Sequence, residues 1–91
     1  MQYDKAFIAD LLAILASAET EDQQIAAAKA LANAFVVELR AASGDAEASQ
    51  CLMDIHSTIV GEQSSHRVHS RHWRILHAAE LVLGDQKINR R

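Results

Sequence analysis

Histidine, arginine and tryptophan crowd into one short stretch, Ser64 to Glu80. There His66, His69, His72 and His77 alternate with Arg67, Arg71 and Arg74 around the chain's only tryptophan, Trp73. Imidazole is a metal ligand and a proton carrier near neutral pH. Guanidinium is a planar fork of donors suited to carboxylate or phosphate. Indole and guanidinium are the groups most enriched at binding hot spots, because each joins a large contact area to an oriented polar group. Three chemistries therefore compete for this stretch: protein recognition, nucleic-acid binding, and metal or haem ligation.

Charge separates the first two. Residues 1–64 carry Lys5, Lys29 and Arg40 against ten carboxylates, a net −7, while residues 65–91 carry six basic side chains against Glu80 and Asp85, a net +4. The whole chain stands at −3. A nucleic-acid module works through a positive field that displaces counterions along a phosphate backbone, which the acidic remainder opposes. A compact carboxylate patch on another protein asks less. The expected partner is thus a protein with an acidic surface, met by Arg67, Arg71, Arg74, His66, His69, Trp73 and His77. The internal alternative is that the arginines pair within the chain, with Glu47, Asp54 or Glu62.

The second choice is a DNA-binding regulator with a degenerate helix-turn-helix over about residues 48–76, since Val68, Ser70, Arg71 and Trp73 echo a recognition helix. The register departs from that motif. With Gly61 as the turn glycine, the apolar seat falls on Arg67, and His56 stands where an apolar anchor belongs. Metal ligation is weaker still. His66, His69 and His72 are spaced three apart, and Cys51, Asp54 or His56 could complete a set, but on one helix His66 and His72 point about 120° apart. No paired-cysteine pattern and no HExxH occurs, so no metal and no cofactor is expected. Cys51 and His56, five residues apart, fall on different helical faces, and no glycine-rich phosphate loop exists, which argues against an enzyme.

These side chains need a scaffold, and the composition says it is helical. There is no proline, and glycine occurs only at 44, 61 and 84, each just past a run with helical periodicity. The expectation is all-α: one four-helix domain over residues 1–84, antiparallel and bundle-like, with helices at about 4–18, 21–42, 45–60 and 65–83 and a basic flexible tail at 85–91. Thr20 and Gln23 have the form of a capping box, Asp45 is placed to cap the third helix, and Ser64 or Ser65 the fourth. Core stripes read as Ile25, Ala28, Ala32, Phe35, Val36 and Leu39, then Ala48, Leu52, Ile55 and Ile59, then Val68, Ile75, Leu76, Ala79, Val82 and Leu83. His72 falls between Val68 and Leu76, so it is expected to be buried and neutral. The first helix, with Phe7, Ile8, Leu11, Leu12, Ile14 and Leu15, is apolar nearly all round, which points to a homodimer.

A lone cysteine excludes an intrachain disulfide and suits a reducing compartment. No N-terminal signal pattern and no spanning-length apolar run is present, so a cytoplasmic protein without membrane contact is expected. The functional expectation is a small regulator, an adaptor or inhibitor, that binds another protein through its fourth helix.

Overall fold

The computed structural model describes residues 2–88, with side chains described for 5–44 and 46–84. The protein is all-α, and no strand occurs among the described residues. Helix α1 is Gln2–Ala16. A helical run, Glu21–Ser64, follows and is broken at Gly44, whose φ of 80° and ψ of 167° lie outside helical space. The break divides it into α2 (21–43) and α3 (45–64). Helix α4 is Arg71–Ile88.

A straight 44-residue helix would be about 66 Å long, yet the longest axis of the molecule is 35 Å. Gly44 therefore folds the run back on itself, and α2 and α3 lie antiparallel. The positive φ suits glycine, which has no Cβ to clash in that region. Nothing lies within 4 Å of the place a Cβ would take, so the demand on Gly44 is conformational and not one of space. Asp45, the expected cap of α3, has its side chain outside the described residues.

The capping box forms as expected. Thr20 Oγ1 accepts from the Gln23 N–H at 3.2 Å, and Gln23 Oε1 accepts from the Thr20 N–H at 3.0 Å. Two glycines depart from expectation. Gly61 and Gly84 lie inside α3 and α4, which run past them to Ser64 and Ile88. Glycine inside a helix costs only about 1 kcal/mol, which packing on both sides of it outweighs. The expected tail accordingly begins as helix, and residues 89–91 lie outside the described residues.

The core joins the expected stripes of α2, α3 and α4: Ala28, Ala32, Phe35, Val36 and Leu39, Ala48, Leu52, Ile55 and Ile59, and Ile75, Leu76, Ala79 and Leu83 are all buried. Helix α1 lies over α2 and α3, with the Phe7 and Phe35 rings 4.6 Å apart. It buries Phe7 and Leu11, half-buries Ile8, Ile14 and Leu15, and leaves Leu12 47 % exposed. Cys51 is buried.

Candidate interaction site on the fourth helix

The site begins where α3 ends. Ser65 and His66 donate their backbone N–H groups to the carbonyls of Glu62 and Gln63, both at 3.1 Å, closing the last turn. Residues 65–70 are then non-helical, and His69 takes a left-handed φ of 68°, which costs a residue with a Cβ some strain. Ser70 caps α4, its Oγ accepting from the Trp73 N–H at 3.2 Å. The start of the fourth helix is thus six residues later than expected. His66, Arg67, Val68 and His69 stand in the connection, so sorting them by helical angle fails. Val68, expected in the core, is 62 % exposed, and His72, expected buried, is exposed at the open end of α4.

The arginines divide. Arg74 grips Glu21 with two nitrogens, Nε to Oε2 at 2.5 Å and Nη2 to Oε1 at 2.9 Å, and its Nη1 donates to the His69 carbonyl. Glu21 sits in the first turn of α2, where the helix dipole also favours a carboxylate. The hydrogen bond from Arg74 holds the Glu21 carboxyl below the usual carboxylate range; desolvation opposes this, and the charges of Arg74 and Arg71 assist it. The same bond raises the Arg74 guanidinium. Arg71 donates from Nε to Gln24 Oε1 at 2.7 Å and from Nη2 to the Glu19 carbonyl at 2.5 Å. Pairing within the chain therefore occurs, but with Glu19, Glu21 and Gln24 in place of Glu47, Asp54 or Glu62. Arg67 is exposed, and its guanidinium makes no described hydrogen bond or ion pair.

Gln24 is a hub that the sequence reading missed. It is the buried polar residue among the described side chains, and its Nε2 donates to the Ile14 carbonyl at 2.7 Å and to Ser17 Oγ at 3.1 Å. With Arg71 on its Oε1, one amide ties the end of α1, the start of α2 and the start of α4. Buried amides at an apolar position imply such partners, and position 24 beside Ile25 and Ala28 was the available signal.

On the opposite flank the rings form two stacks. His66 lies parallel to His72, centroids 5.2 Å apart. His69 meets Trp73 edge-on at 4.9 Å, and Trp73 stacks on His77 at 4.7 Å. Beneath them Glu80 stands between two imidazoles: His56 Nε2 makes a 3.0 Å hydrogen bond with its Oε2, whereas His77 Nδ1, also 3.0 Å from its Oε1, is within ion-pair distance but lacks the alignment of a hydrogen bond. A Cβ on Gly84 would stand 3.4 Å from His56 Nε2, an ordinary van der Waals contact, so the imidazole lies directly against α4 here. His66, His69 and His72 do not converge, since two stack on each other and the third turns to Trp73. Among the described residues no three His, Cys, Asp or Glu side chains are placed to hold a metal ion. No described helix is long and apolar enough to cross a membrane.

Comparison with protein-family models, curated proteins and solved structures returned no match.

Proposed function

We propose that the protein is a non-enzymatic protein-binding module, a cytoplasmic adaptor or inhibitor acting as a homodimer, that receives an acidic protein surface at the edge of α4 around Trp73. The observation that carries this reading is the half-buried indole held between His69 and His77. A large aromatic already fixed on two sides loses little side-chain freedom on binding, which is what a hot spot requires. Met53 and Val60, three residues before and four after His56, lie on the same flank of α3 and are 49 % and 40 % exposed. They add exposed apolar area on the face of α3 that carries His56.

Of the three arginines, Arg67 is the one with no hydrogen bond or ion pair described within the chain, so it is the one offered to a partner, together with His66, His69 and His77. Arg71 and Arg74 act by fastening α4 to the start of α2. The same engagement weighs against the helix-turn-helix reading, because the arginines at the head of α4 are already spent on Gln24, Glu19 and Glu21.

The test is affinity capture from native extract with wild type, Trp73→Ala and Arg67→Glu. Both variants should keep the wild-type circular dichroism and lose the wild-type partner. Capture unchanged in both would refute the site. A gel shift with duplex DNA at about 0.15 M salt is the opposing arm: tight, sequence-selective binding abolished by Arg67→Glu would replace the protein partner with nucleic acid.

A further inference from the structure

Resting on the reading of the protein as a self-associating module, we propose that the outer face of α1 is the dimer interface. Two α1 helices pack antiparallel across a two-fold axis, with Leu12 of each copy seated on Ala9 of the other. Helix α1 turns Phe7 and Leu11 inward. At spacings of four, three and four, Lys5, Ala9, Leu12 and Ala16 line its outer face, all exposed, with Lys5 the one charge among them. Beside that line lies an open depression of about 400 Å³ formed by Lys5, Ile8, Ala9 and Leu12 of α1 with Ile55 and Thr58 of α3.

The face is self-complementary. A two-fold axis between residues 10 and 11 sets the large Leu12 of one copy over the small Ala9 of the other, and the reverse contact follows by symmetry. Alanines at 9, 13 and 16 let the two backbones approach closely. Charge selects the direction. In the antiparallel pair each Lys5 reaches the C-terminal end of the other α1, the negative end of its helix dipole. The last turn of α1 has no basic residue of its own, and Glu19 is exposed just beyond it. A parallel pair would set Lys5 against Lys5. By contrast, Val37 on α2 and Leu81 on α4 border no apolar depression among those described and read as scattered surface residues.

The second copy is not needed to close the core. The accessible surface is 5522 Å², near the value of about 5,200 Å² expected for a folded monomer of this mass. Charged residues placed on the outer face of α1 should therefore separate the copies without unfolding them.

The experiment is sedimentation equilibrium at micromolar concentration on the full chain. Wild type should give twice the 10.0 kDa chain mass. Leu12→Glu should weaken association at least tenfold with helicity intact, and Ala9→Arg, which fills the seat from an exposed position, should do the same should Leu12→Glu fold poorly. Lys5→Glu should weaken the dimer and Lys5→Glu with Glu19→Lys should restore it, while Val37→Glu leaves it unchanged. A wild-type monomer would overturn self-association altogether. A dimer insensitive to both Leu12→Glu and Ala9→Arg would overturn this face and leave self-association standing.

Discussion

Replacing Gln24 by leucine tests the junction of three helices. The volumes are similar, so the change removes hydrogen bonds with little change in packing. The two amide protons lose the Ile14 carbonyl and Ser17 Oγ as their nearest acceptors, with the Ser17 and Leu15 carbonyls further off at 3.3 and 3.5 Å, and the amide oxygen loses its bond from Arg71. Neutral bonds contribute about 1 kcal/mol net and those to a charged group about 1.5–3 kcal/mol. Two facts reduce the sum. The Ile14 carbonyl keeps the Ser17 N–H at 3.1 Å and the Ser17 hydroxyl at 2.8 Å, and Arg71 is exposed enough for water to replace the amide. The expected loss is then about 2–4 kcal/mol, a large share of the roughly 5–14 kcal/mol that a chain of this length holds.

Urea unfolding followed by circular dichroism and by Trp73 fluorescence reads this directly, with a fall in Tm of about 10–25 °C as the thermal counterpart. Gln24→Glu separates the two sides of the amide. It keeps an acceptor for Arg71 but sets a carboxylate against the Ile14 and Ser17 oxygens, so it should destabilise at neutral pH and recover as acid protonates it. A loss under about 0.5 kcal/mol for Gln24→Leu, the range of an ordinary surface change, would refute the hub.

Gly44→Ala forces a Cβ into left-handed space and should cost about 1–2 kcal/mol, whereas Gly61→Ala, helical and with open space around it, should gain about 0.5–1 kcal/mol; opposite shifts in urea midpoint check both. The Glu21 carboxyl is lowered in the folded protein, so its contribution is present above the unfolded carboxylate pKa of about 4.3 and is lost as pH falls through the lower folded value. Glu21→Gln should flatten that acid limb of a stability–pH curve, and an unchanged limb would show that the Arg74 pair does not contribute.

What the residues determined by themselves is local. Apolar spacing on α2 and α3 named the core positions Phe35, Leu39, Leu52, Ile55 and Ile59, and the Thr20–Gln23 pair marked the start of α2, because periodicity and capping act within a turn or two of helix. Gly44 was legible as a break for the same reason. The site was only partly legible. Ser64, Ser65 and Ser70 are equally good caps in isolation, and the choice of Ser70 is made with Arg71 and Arg74 reaching Gln24 and Glu21, 47 and 53 residues away in the chain. His72 and Val68 left the core with that choice. The Trp73–His77 stack and the carboxylate of Glu80 between His56 and His77 likewise exist only because α3 and α4 lie side by side. Contacts at such separations depend on how the chain folds back at Gly44, and spacing along the sequence carries no record of which helix will face which.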